Sequence, residues 1–139
     1  MSALRKLELP EIKNVEALRS ALGLMNKIVA TKLQTNTTRR GFAAYREQHN
    51  CALVLPREVF SGVEDIAWCS TPAGTLEVIY DVDDTRKLDK AFGINDFFGA
   101  VPQYYTAAVA KKELELAGYT CEVAKEKDGT LQVVATNWA

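Results

Sequence analysis

The densest group of side chains able to do chemistry in this chain is the carboxylate run Asp81, Asp83 and Asp84. Hard oxygens so close together are what Mg²⁺ or Ca²⁺ prefers, and an ion held there would make the run the centre of a metal-dependent hydrolase. The glycine and the distal glutamate of an EF-hand loop are missing, however, and a strand ending on a helix cap uses the same residue types. Metal-dependent hydrolysis is therefore kept as an alternative, with no metal ligand assigned. Glu64 and Asp65 could work with Asp83 or Asp84 as general acid and base, given a cleft that raises one pKa. Ser61, Ser70 and the cysteines have no histidine in a recognisable nucleophile motif, since the one histidine, His49, lies in a polar stretch. No glycine-rich phosphate loop occurs. No catalytic residue and no cofactor are assigned, and the balance leans away from an enzyme.

A second group suits binding. Between Lys32 and Arg46 a run of threonines and Asn36 leads into Arg39, Arg40, Phe42 and Tyr45. Guanidinium groups beside aromatic rings can grip a phosphate and stack a base, so these four residues are the expected ligand-binding set for a small anion. The plainer alternative is a solvated hairpin with its aromatics turned inward. A nucleic-acid-associated module using residues 32–46 is a further alternative, but so short a strip neutralises few phosphates. The formal net charge of -1 adds no general attraction to nucleic acid. The charge is uneven: residues 1–50 carry nine Lys/Arg against four Asp/Glu, a surplus of +5, which leaves -6 for the rest. Two solvated faces, or a bipolar surface that self-associates, would both account for it.

Aromatic residues crowd the C-terminal half. Tyr104 and Tyr105 are neighbours on a helical pattern, and neighbours point about 100° apart, so both cannot face one core. One of the two, or Trp138, is accordingly expected at a rim that another chain covers, so Tyr104, Tyr105 and Trp138 are the interface candidates of a homo-oligomer.

The elements that must position these groups follow from periodicity. Residues 7–12 form an extended opening around Pro10, read as an edge strand. Asn14 caps a first helix whose stripe is Val15, Leu18, Ala21, Leu22 and Met25, with Asn26 as its stop. Strands are predicted over Ile28–Leu33, Gly41–Arg46, Cys51–Leu55, Ile66–Cys69 and Thr75–Val82, with Gln34–Thr38 as a polar turn and 57–62 as a connection. Thr71-Pro72-Ala73-Gly74 is a hairpin signal. One helical turn is expected in 83–90, broken at Phe92-Gly93. A long helix opens at Asn95 or Asp96 with the stripe Phe98, Val101, Tyr105, Ala108, Val109 and Leu116. Pro102 is read as the first turn of a separate helix beginning near Val101. Gly118 stops it, and Tyr119–Val123 and Leu131–Ala135 form a hairpin around Lys127-Asp128-Gly129. The expectation is a single α+β domain spanning 1–139: a mainly antiparallel sheet, covered on one face by two principal helices, with the C-terminal hairpin part of that sheet. Cys51, Cys69 and Cys121 fall in or beside strands and read as buried small hydrophobes rather than a disulfide framework. With no apolar run long enough to cross a bilayer and no signal-peptide pattern, the chain is expected in the cytoplasm, with no membrane partner.

Several stretches resemble one uncharacterised family. Ile12-Lys13 with Val15-Glu16-Ala17-Leu18, Arg40-Gly41-Phe42 with Ala52-Leu53-Val54-Leu55, Asp65-Ile66-Ala67-Trp68 with Gly74 to Asp81, Gln103 with Tyr105, and Asp128-Gly129-Thr130-Leu131 with Trp138 carry the likeness. In order and spacing they are similar to the domain-of-unknown-function group typified by the hypothetical chloroplast reading frame thirty-five of algae and cyanobacteria, with bacterial and phage relatives. Histidines frequent in that family are replaced here by Ala3 and by Ala107 or Ala108. The resemblance implies the fold and carries no activity; phage relatives suggest an accessory role. The functional expectation is a small non-enzymatic binding protein engaging a protein partner or a small anionic ligand.

Overall fold

The computed structural model describes residues 4–9, 12–38 and 50–137. The secondary structure is α+β, as expected. Five strands form one antiparallel sheet in the order β1-β5-β4-β3-β2: β1 (Leu4–Leu9), β2 (Gln34–Thr38), β3 (Asn50–Leu55), β4 (Ile66–Ser70) and β5 (Leu76–Asp81). β1 is an edge strand, as Pro10 suggested, with Leu7 opposite Val78. Trp68 stands between Leu53 and Val78 in the neighbouring strands, which puts these large side chains in one row on one face.

That face is the base of the main core. Helix α1 (Val15–Met25) lays Leu18, Ala21, Leu22 and Met25 on it, and its first turn is held by Ala17 N–H donating to Asn14 Oδ1 at 3.1 Å. Helix α4 (Thr85–Phe92) adds Leu88 and Phe92, and the long helix α5 (Phe97–Leu116) adds Phe97, Val101, Tyr105 and Ala108. Phe97 sits among rings, 4.6 Å from Phe92 and 6.4 Å from Trp68 between centroids. The opposite face is also buried at its centre: Val54, Ala67, Cys69 and Ile79 cluster with Cys51. The helices themselves pack on the first face, as expected. The cysteines are buried thiols, as their positions suggested.

Several local expectations are corrected. Residues 28–33 are not a strand, because Asn26 caps a second time: its Oδ1 accepts from Ile28 and Val29 N–H, both at 3.1 Å, and starts the one-turn helix α2 (Lys27–Ala30). The strand is instead Gln34–Thr38, the polar run read as a turn; pairing with β3 outweighs its low propensity. Residues 57–60 make a helical turn, α3 (Arg57–Phe60), and Thr85–Phe92 is two turns rather than one. The segment Gly41–Arg46 lies outside the described residues.

α5 is continuous through Pro102 rather than starting there. Two carboxylates hold the start early: Asp96 Oδ1 accepts from Gly99 N–H at 3.1 Å, and Asp89 Oδ1 from α4 accepts from Phe97 N–H at 2.8 Å. Phe97 and Phe98 then dock against Phe92 and Tyr80, which fixes the first turn ahead of the proline. Leu116, assigned to the buried stripe, is 77% exposed.

The C-terminal hairpin is not part of the main sheet. β6 (Tyr119–Lys125) and β7 (Leu131–Asn137) form a separate two-stranded ribbon that packs on α5. Among the described residues no helix is long and apolar enough to cross a membrane.

Candidate functional site

The acidic run is dismantled by the backbone that carries it. β5 ends at Asp81, a 3-10 turn covers Val82–Asp84, and each carboxylate goes its own way. Asp81 Oδ1 accepts from Asp83 N–H at 2.8 Å and caps the turn, leaving a buried Oδ2 with no hydrogen-bond partner. Asp84, 1% exposed, accepts from Val63 N–H at 2.9 Å (Oδ1) and from Glu64 N–H at 3.1 Å (Oδ2). It thereby ties the β3–β4 connection to the start of α4, with Lys87 Nζ at 3.6 Å. Asp83 stands exposed. Asp65 Oδ1 takes the N–H of Arg57 at 2.8 Å, closing the α3 loop. Among the described residues no three acidic, cysteine or histidine side chains are arranged to hold a metal ion. Of the run only Asp81 caps a turn; Asp84 makes no side-chain cap bond to α4 and instead holds the amides of Val63 and Glu64.

The predicted interface residues part company. Tyr105 is buried at 9% exposure and its hydroxyl accepts from Lys13 N–H at 3.4 Å and Asn14 N–H at 3.2 Å. It is thus a core residue that secures the approach to α1, which corrects its assignment to a rim. Tyr104, about a third of a turn away, is half-buried and packs on the edge of the core. Trp138 and the ligand set Arg39, Arg40, Phe42 and Tyr45 lie outside the described residues.

What the fold does build is a groove between α5 and the ribbon. It encloses about 710 Å³ between Gln103, Thr106, Ala107 and Ala110 of α5 and the segment from Asp128 to Leu131 with Val133. A shallower hollow of about 300 Å³, lined by Tyr105, Val109 and Glu113, shares Thr106 and Ala110 with it along α5. Small side chains at 106, 107 and 110 keep this side of the helix low, and the ribbon is too narrow to close over it. Thr106 folds its hydroxyl back to Pro102 O at 3.0 Å, so the wall is less polar than its composition suggests. The hairpin loop forms the other wall. Gly129 N–H donates to Glu126 O at 3.0 Å, Glu126 N–H donates to Thr130 O at 2.8 Å, and Gly129 takes φ +90°, a turn-plus-bulge loop that positive φ makes natural for glycine. Asp128, the one ionisable group of the groove lining, accepts from Thr130 N–H at 2.9 Å, and that bond holds its carboxyl below the usual aspartate range.

Sequence reasoning missed this groove. Its signal is faint: two alanines and a threonine on one side of α5, opposite a strand, Leu131–Asn137, that carries no charge. Comparison with family models, with curated proteins and with solved structures gives no match for this chain.

Proposed function

We propose that this chain is a non-enzymatic binding protein that engages a polypeptide partner through the groove between α5 and the ribbon. One observation carries the reading: a groove walled by small side chains, polar and apolar together, runs beside β7, whose outer edge is unpaired among the described residues. Such a place suits an extended segment, which can pair its main chain with a strand edge while its alternate side chains enter a pocket. The groove lining contains no histidine, cysteine or serine, and its single carboxylate is engaged by Thr130 at the turn. The anionic-ligand reading rests on Arg39, Arg40, Phe42 and Tyr45, beyond the described part, and the nucleic-acid reading on residues 32–46, of which 39–46 lie there. The hydrolase reading rests on a run in which Asp81 caps a turn and Asp84 already holds loop amides.

The test uses a synthetic heptapeptide of alternating valine and threonine, titrated into the isotope-labelled protein. Amide shifts are expected at Gln103, Thr106, Ala110, Leu131 and Val133, and Ala110→Trp, which fills the groove, is expected to abolish them. Shifts confined to other surfaces, or a titration unchanged by Ala110→Trp, would remove the groove as the binding surface.

A further inference from the structure

The outer edge of β7 identifies its own occupant, and we propose that two copies of the chain pair there, β7 against β7, with the partner strand lying over the groove. The inference rests on the groove reading and names the segment that fills it.

Strand alternation sets the geometry. The Glu126–Thr130 hydrogen bond beside the loop makes that pair a bonded one, so Ala124–Gln132, Glu122–Val134 and Thr120–Thr136 are bonded pairs in turn. The main-chain groups of Leu131, Val133, Ala135 and Asn137 therefore point away from β6, toward the open edge. A two-fold axis at Val134 matches these groups to their own copies: Leu131 with Asn137, and Val133 with Ala135. About eight main-chain hydrogen bonds form. Val134, 44% exposed, meets itself in a non-bonded pair, where side chains approach most closely.

Charge decides which edge is used. β7 reads Leu-Gln-Val-Val-Ala-Thr-Asn, so no like charges meet when it opposes itself. The same operation on β6 would set Glu122 against Glu122. Side-chain direction agrees. Leu131 and Val133 line the groove, and Ala135, on the same side of the strand, stands exposed for want of a neighbour. The partner's Val133 would take that place, with the partner's Ala135 beside Val133. Among the described residues the main sheet leaves its β2 edge unpaired, and that strand is polar, exposed at Gln34, Thr35 and Asn36, and broken by Asn36 at φ +48°. β7 has no such positive-φ break, and its centre, Val133, Val134 and Ala135, is apolar. Joined, the two ribbons would make a four-stranded sheet lying on the two α5 helices.

Sedimentation velocity of the full chain from micromolar to submillimolar concentration is expected to show a rise to twice the chain mass. Val134→Glu sets two carboxylates together on the axis, and Ala135→Pro removes an outward amide that the ribbon itself does not use. Each is expected to weaken association by at least about tenfold while thermal unfolding stays cooperative. Val134→Thr is expected to associate like the wild type. A wild-type chain that stays at one chain mass throughout, or a dimer indifferent to both Val134→Glu and Ala135→Pro, overturns the proposal. If the chain is monomeric yet the valine–threonine heptapeptide still shifts Gln103 to Ala110, self-pairing falls and the groove reading stands. If it is monomeric and the peptide moves nothing there, both fall.

Discussion

Asp84 and Asp83 are neighbours in sequence and opposites in consequence. Asp84 is buried with two amides donating to its carboxylate, whereas Asp83 is exposed at the surface of the same turn. Asp84→Ala strands Val63 and Glu64 N–H in a buried place and is expected to cost about 3 kcal/mol in urea unfolding, against less than about 0.5 kcal/mol for Asp83→Ala. A shared metal site would make the two losses comparable in the presence of the ion. Tyr105→Phe removes the acceptor for Lys13 and Asn14 N–H and is expected to cost about 1–2 kcal/mol by the same measurement. Asp128 offers a pH test. Its folded pKa lies below the usual aspartate value, first because Thr130 N–H donates to it. Its contribution to stability is therefore complete above the ordinary aspartate range and is lost only as pH falls through the depressed folded value. A carboxyl-carbon titration by NMR is expected to place Asp128 lower than a Thr130→Pro variant does, since proline removes that amide.

At the scale of elements, α5 is the piece that joins the two sheets. One side packs on α1 and the main core, and another carries the ribbon. Its start depends on a neighbour: Asp89 of α4 holds Phe97 N–H, so the two helices are stitched by one carboxylate. Asp89→Ala leaves that part-buried amide without an acceptor and is expected to cost about 1–3 kcal/mol, more than the loss of about 1 kcal/mol expected for the exposed cap Asp96→Ala. Its end depends on Gly118, which takes φ +98° as the chain reverses into β6. Gly118→Ala is expected to destabilise the ribbon's attachment while leaving the main sheet's amide exchange unchanged.

Across the whole molecule the two sheets differ in how they are held. β4 and β5 are buried on both faces between hydrogen-bonded neighbours, while the ribbon buries little beyond Cys121 and the half-buried Val123, Leu131 and Val133. Hydrogen exchange is accordingly expected to be slowest in β3–β5 and faster throughout β6 and β7 in dilute solution. Raising the concentration should then slow exchange at Leu131, Val133, Ala135 and Asn137 by the largest factors, because those are the amides directed to the outer edge. Equal slowing at Gln132 and Val134 would indicate general stiffening rather than strand pairing.

What the sequence determined by itself was local. Asn14 announced α1 because a short amide side chain before an apolar stripe has few better uses than capping. Thr71 to Gly74 announced the β4–β5 turn, and Gly118 and Gly129 announced backbone that other residues adopt only with strain. Adjacent antiparallel strands with intervening helices were enough for the α+β class. What only the tertiary structure decided was which competing local preference prevailed. Gln34–Thr38 became a strand because β3 offered it hydrogen bonds. α5 ran through Pro102 because rings and carboxylates held its first turn. The acidic run became one cap and one loop tie because the amides of Asp83, Val63 and Glu64 were brought to Asp81 and Asp84. The ribbon left the main sheet for the same reason: no periodicity says which apolar surface a strand pair will choose. Here the long helix offered a free side.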